Sequence, residues 1–282
     1  MITIQPKGPP PTMNLGPNMP SMMTIQKPST PQTLASKIES TLNAKSDYIQ
    51  PRCITESQKR SEAVKSRMVI SQRSGKTNGK HLVLDLDETM VHTFGHEAEL
   101  ASFIEELGEL DKKRIKKLDF SDGSGSMWTY VRPHAELFLE VAFAEFDTVS
   151  VWSAGTYEYV HKLVDLLFVN RRPKFVMTRN DCNEIQVGNP DGACRFKPLE
   201  NIYTVHPSHN RYNTLIVDDR TDICGFNCLN NIKIPEFSIG DHNHEILVGD
   251  FSLLILAEWF LSDRFRKTSS VQELKSYSPF RI

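Results

Sequence analysis

The sequence predicts an α/β fold on a mostly parallel sheet, and three runs of residues carry that expectation. Leu82-Val83-Leu84 and Leu215-Ile216-Val217 are apolar stretches of strand character that each end in an acid, Asp85 and Asp218. Thr148 to Trp152 is a third such stretch, flanked by helical patterns over Pro133–Phe146 and Tyr157–Phe168. Continuous rather than alternating apolar character marks strands buried on both faces, as parallel strands are. In open α/β sheets ligands bind beyond the carboxyl ends of the strands, so Asp85 stands at the mouth of a site, with Asp87 beside it on the outgoing loop.

The rest of the chain follows in order. Its 282 residues suit one good-sized domain with extensions, and a hydrophobic content of 39% supplies a core. Half of the sixteen prolines lie at or before Pro31, so residues 1–78 read as a weakly ordered, proline-rich and then basic extension. Within it Leu34, Ile38 and Leu42 recur at helical spacing, whereas Lys59 to Lys80 reads as a solvated linker in preference to a docking segment. Ser74-Gly75-Lys76-Thr77 imitates a phosphate-binding loop, but Ile70 stands where the first glycine is needed.

After the first strand, Leu100, Phe103, Ile104 and Leu107 share a helical face, and Ile115–Phe120 and Met127–Val131 flank a Gly- and Ser-rich turn, so residues 93–131 read as an insertion ending in a hairpin. Phe120, Trp128 and Tyr130 either line a substrate groove or pack the hairpin onto the core. Pro133 suits the first position of a helix. Lys174–Met177 and Asn231–Ile234 read as further strands, Phe251–Phe260 as a closing helix, and residues 265–282 as a polar, weakly ordered tail.

Charge and cysteines narrow the class. A net charge of −2 gives no general attraction to nucleic acid or to membrane surfaces. No stretch approaches the about 18 apolar residues of a membrane span, and none resembles a secretory signal, so an intracellular protein is expected. Five cysteines at irregular spacing do not make a disulfide framework. A zinc site assembled from Cys182, Cys194, Cys224, Cys228, His242 and His244 lacks the tight pair spacing that such sites use.

The acids at the strand ends suggest a reaction. A carboxylate can attack phosphorus and split one hard displacement into two easier ones. The leaving oxygen then needs a proton and the incoming water must lose one, which a second carboxyl two residues away can manage. Acids this close repel unless a cation lies between them, and Mg²⁺ takes oxygen ligands. Asp-Leu-Asp-Glu-Thr behind an apolar strand is a stronger signal than a solvated turn, where a lone Asp is common.

Asp85-Leu86-Asp87-Glu88-Thr89-Met90-Val91-His92 resembles the first motif of haloacid-dehalogenase-type phosphatases. Within them it is most similar to the branch acting on the C-terminal domain of RNA polymerase II, the FCP/SCP or NLI-interacting-factor-like group, which usually has leucine at the place of Met90. Arg132-Pro133-His134, Ser153-Ala154-Gly155-Thr156, Lys197 and Asp218-Asp219 resemble later motifs of the same group in the same order, over roughly residues 80–263.

The resemblance implies a three-layer α/β sandwich of haloacid-dehalogenase type with a small β-hairpin insertion, in a phosphatase domain spanning 79–264. It implies an aspartyl-phosphate on Asp85, with Asp87 as the proton shuttle and Lys197 neutralising the nucleophile. Thr89, Ser153, Ala154, Gly155 and Lys197 would hold the phosphoryl group. Mg²⁺ would be held by Asp85, the main-chain carbonyl of Asp87 and one of Asp218 and Asp219, with Asp219 preferred and Asp218 holding Lys197 or a metal-bound water. The expected substrate is a phosphoserine or phosphothreonine protein, the polymerase tail among the possibilities. No nucleic acid or membrane partner is implied, and a monomer is expected. A small-molecule phosphatase and a non-catalytic binding or translocase-type module are the competing readings.

Overall fold

The computed structural model describes residues 33–43, 52–72, 78–105, 107–121, 125–186, 193–220, 229–238 and 249–280. Two helices, α1 (Leu34–Asn43) and α2 (Arg52–Gln72), precede the first strand, β1 (His81–Leu84). The insertion follows as β2 (Val91–Phe94), α3 (Glu97–Ile104), α4 (Glu109–Lys112), β3 (Ile115–Asp119) and β4 (Ser126–Val131). Next come α5 (Ala135–Glu145), β5 (Thr148–Trp152), α6 (Tyr157–Leu167) and β6 (Val176–Met177). The chain continues through β7 (Asn183–Gln186), β8 (Ala193–Phe196), α7 (Glu200–Val205), β9 (Thr214–Asp218) and β10 (Asn231–Lys233). Three helices end it: α8 (Ser252–Phe260), α9 (Asp263–Lys267) and α10 (Val271–Leu274).

The main sheet has the order β10-β9-β1-β5-β6, and every neighbouring pair in it is parallel. Its central strands are apolar at successive positions because both faces are covered. Leu82, Leu84, Val149, Val151, Leu215 and Val217 face one large core with α5, α6 and α8. Val83, Trp152 and Ile216 face the other way, onto Leu199 and Ile202 beside and within α7. The result is the three-layer α/β/α arrangement, with β1 in the middle and its carboxyl end, where Asp85 follows, between the ends of β5 and β9.

The insertion is a three-stranded antiparallel sheet, β2-β4-β3, rather than a hairpin alone. Trp128 and Tyr130 do not line a groove: they are buried with Phe94, Phe103, Ile115 and Phe237. Tyr130 Oη donates to Asp111 Oδ1 at 3.0 Å, which satisfies its one polar atom inside that core. Pro133 lies in the turn ahead of α5 instead of opening it, since His134 adopts a left-handed φ of 67° before the helix begins at Ala135. Ile38 of α1 is buried against the insertion as well, through the apolar face that the spacing of Leu34, Ile38 and Leu42 marks out.

Two expectations about the flanks are corrected. Residues 59–72 are not a solvated linker but part of α2, whose Val64 and Met68 join the large core. Arg60 of that helix donates to both carboxylate oxygens of Glu258 at 3.0 and 2.7 Å, and Ser57 Oγ lies 3.1 Å from His134 Nε2. The C-terminal segment is likewise ordered on the core, because Phe265, Val271 and Leu274 are fully buried. Cys182 and Cys194 are free thiols. Cys224, Cys228, His242, His244 and residues 74–77 lie outside the described residues. Among the described residues no helix is long and apolar enough to cross a membrane.

The packing of α2 has a direct test. Replacing Val64 and Met68 together by alanine should lower the unfolding free energy by about 2–4 kcal/mol, as deletion of buried methylenes does. Urea titration should show an earlier midpoint with an unchanged slope. A midpoint equal to that of the native sequence would contradict the assignment of α2 to the core.

Candidate active site

The site forms where β1 and β9 end side by side. Their register pairs Leu84 with Val217, so Asp85 and Asp218 leave the sheet together, and Asp85 N donates to Val217 O at 3.0 Å. Lys197, just after β8, brings its buried ammonium between the two acids: Nζ donates to Asp85 Oδ1 and, at 2.9 Å, to Asp218 Oδ2. The Arg220 main-chain amide donates to the remaining Asp218 oxygen at 2.9 Å.

Burial acts on both the ammonium and the Asp85 carboxyl. It works against the Lys197 ammonium, but Asp85 and Asp218 together outweigh it and raise the lysine's pKa above its ordinary value. Asp85 is pushed upward by burial, with Lys197 opposing that and Asp218 and Asp87 adding to it. Asp219 completes the cluster. One oxygen each from Asp85, Asp218 and Asp219 lie within 4.8 Å of one another. Burial first, and the Asp218 charge second, push Asp219 up to about 6. Three carboxylates facing one ammonium leave negative charge in a largely dry place, and a hard divalent cation with oxygen ligands fits that donor set.

The loop after Asp85 is held from several sides. Met90 N and Val91 N both donate to Leu86 O, at 2.8 and 3.0 Å, and Glu88 takes a left-handed φ of 54°. Thr89 turns inward: its hydroxyl accepts from Asp219 N at 3.1 Å and donates to Asp219 Oδ1 at 3.3 Å. Arg132 lies beneath, fully buried. It donates to Thr89 O at 2.9 Å, to Pro235 O at 2.8 Å, and through two nitrogens to Asp250 at 3.1 and 2.8 Å.

The Asp87 carboxylate has partners of its own, outside the Asp85-Asp218-Asp219 cluster. Its Oδ2 accepts from Ser153 Oγ at 3.0 Å and its Oδ1 from Tyr159 Oη at 2.5 Å. Ser153, at the end of β5, also accepts from Gly155 N at 2.9 Å. Gly155 has no room for a side chain, since an added Cβ would lie 2.7 Å from Tyr159 Cδ1 and 3.1 Å from Ser153 Oγ. Ala154 O accepts from Arg179 Nε at 3.1 Å.

The residues singled out from the sequence thus fall into two adjoining groups, Asp85-Lys197-Asp218-Asp219-Thr89 and Asp87-Ser153-Gly155. Sequence reasoning missed Tyr159 and Arg179. Tyr159 had one available signal, its place in the first turn of the helix that follows the Ser153 segment.

Residues 80–263 match the family described as NLI interacting factor-like phosphatase. Among curated proteins nothing matches this chain. Among solved structures, one described as Fcp1, an essential RNA polymerase II CTD phosphatase, aligns at 17% identity with a TM-score of 0.44, covering 71% of this chain and 54% of that one. A fission yeast Fcp1 variant bound to beryllium fluoride aligns at 18% identity with a TM-score of 0.43, covering 77% and 60%. The chain therefore spans a little over half the length of these structures.

The shifted Asp219 carboxyl would make the binding of a cation at this cluster pH-dependent. A raised pKa means that Asp219 carries its proton below about 6 and must give it up to ligate a cation. Calorimetric titration with Mg²⁺ should show binding about tenfold weaker at about pH 5 than at about pH 7.5. Equal affinity at both values would contradict a role for Asp219 in holding the ion.

Proposed function

The chain belongs to the NLI interacting factor-like phosphatases, and from that premise we propose that it hydrolyses phosphoserine or phosphothreonine in proteins. The reaction runs through an aspartyl-phosphate on Asp85 and depends on Mg²⁺. The observation that carries this reading is the buried ammonium of Lys197 bound at once to Asp85 and Asp218. A carboxylate kept in a dry site by a fixed cation is poised to meet an anionic substrate without repelling it.

In the first step an Asp85 oxygen forms a bond to phosphorus while the bond to the substrate oxygen breaks, and Asp87 supplies a proton to that departing oxygen. In the second step Asp87 takes a proton from water, the water oxygen bonds to phosphorus, and the bond to Asp85 breaks. Ser153, held by the Gly155 amide, would turn its hydroxyl to a phosphoryl oxygen, and Lys197 neutralises the charge gathered on Asp85. Asp85, Asp219 and the main-chain carbonyl of Asp87 would hold Mg²⁺, whose chemistry is to offset the negative charge of the phosphoryl group beside these acids. The small insertion keeps Phe94, Phe103, Trp128 and Tyr130 in its own core, and Phe120 packs against the main core. It offers little to seal a pocket over a small molecule, which favours a protein segment entering an open site.

Hydrolysis of 4-nitrophenyl phosphate by the full chain should vanish in excess chelator and return with Mg²⁺, and Asp85→Asn should remain at background. Phosphopeptides, polymerase-tail repeats included, should compete with this substrate, while sugar phosphates should not. Full activity in chelator would end the metal-assisted reading. Competition by sugar phosphates alone would favour the small-molecule alternative.

A further inference from the structure

We infer that a groove along α5 is a docking surface for an acidic segment of a partner protein, one that carries apolar side chains among its acids. The groove has a volume of about 820 Å³ and four elements contribute to it: α2, the start of β3 with the residues before it, α5, and the end of α6 with the turn after it. It follows α5 from Ala135 to Phe143, a helical rise of roughly 12 Å. Asp85, Asp87, Lys197, Asp218 and Asp219 take no part in its lining, so it is a surface separate from the candidate active site.

Its apolar strip is built from residues the core leaves partly uncovered. Val131, Phe143, Leu166 and Leu167 pack on the large core yet are only half-buried, and all four line the groove. Val169, just after α6, joins them with 76% of its surface exposed. A single exposed valine is ordinary, whereas apolar side chains gathered in one concave strip are the mark of an interaction surface.

Charge selects the occupant. Lys65, Lys113, Lys116 and Arg171 are exposed around the strip, and none of the four forms an ion pair among the described residues. Arg171 is fixed at its edge, since its Nη1 donates to Phe143 O at 3.1 Å and its guanidinium lies 5.7 Å from the centre of the Phe143 ring. Arg114 is held by Asp111 at 3.5 Å and adds less. Against these stand Glu136 and Glu140 of α5. The groove is thus positive on a chain whose net charge is −2. Complementary charge steers an acidic segment to this place and disfavours a basic one. A helix laid along the strip would present apolar residues three and four apart to it, with acids on either side facing the cations.

Three fluorescein-labelled peptides of equal length test this by anisotropy titration with the full chain. The first has glutamates with leucines at alternating third and fourth places; the second has lysines for the glutamates, and the third has serines for the leucines. The first should bind at least about tenfold more tightly than either other, and less tightly as salt is raised. Lys113→Glu with Lys116→Glu, and separately Val169→Asp, should each weaken that binding about tenfold. All three positions are exposed, so the urea midpoint should stay where it is. Absent binding of the acidic peptide, equal binding of all three, or binding that no substitution alters overturns the inference. So does a chain that sediments as a dimer and becomes a monomer with Val169→Asp, because the groove would then belong to a second copy.

Discussion

The ammonium of Lys197, enclosed between Asp85 and Asp218, is the contact on which the site depends. Each of these groups is costly to bury alone, and removing one partner of such a cluster costs about 3–5 kcal/mol because the others stay charged and dry. The fold meets this cost through geometry. Parallel pairing of β1 with β9 delivers the two acids to the same level, and the segment after β8 brings the lysine across the end of the sheet. Asp219, one residue further along, then lies within ligand distance of both acids. The excess negative charge that remains suits a hard cation with oxygen ligands.

A second constraint acts on the loop from Asp85 to Val91. Its turn uses a left-handed Glu88, an unfavourable conformation for a residue with a side chain, so other contacts must fix it. Arg132 provides several of them, binding the carbonyl of Thr89 from within the core while anchored on Asp250. Phe237 N adds another by donating to Glu88 O at 2.7 Å. Held in this way, the loop keeps Asp87 turned toward β5 and α6, away from the carboxylate cluster. The acids separated by one residue in the sequence thereby face different neighbours.

Much of this was legible in the chain because strand-end acids and uninterrupted apolar runs are local signals. Asp85, Thr89 and Asp218 stand where β1 and β9 end, and Lys197 was identified by its place relative to them. Tyr159 was not legible, since a tyrosine in an amphipathic helix reads as core until the distant Asp87 is placed beside it. The flanks were misread for a compositional reason. Among the described side chains of α2 few apolar ones are buried, with Val64 and Met68 four apart in a mostly polar helix, and ion pairing of Arg60 to Glu258 adds to their hold. Phe265, Val271 and Leu274 are scattered among polar residues, yet each fills a place in the core. Average polarity hides such isolated anchors.

The central claim is that Asp85 is the atom donor that bonds to phosphorus, with Asp87 needed to move protons. It is tested most directly by rapid-quench mass spectrometry of Asp87→Asn mixed with 4-nitrophenyl phosphate. A nitrophenolate leaves with little help, whereas attack of water on the intermediate still needs a base, so the variant should accumulate a covalent phosphate that maps to Asp85. A phosphate found on Ser153 instead, or no adduct while turnover proceeds at the native rate, would contradict the account.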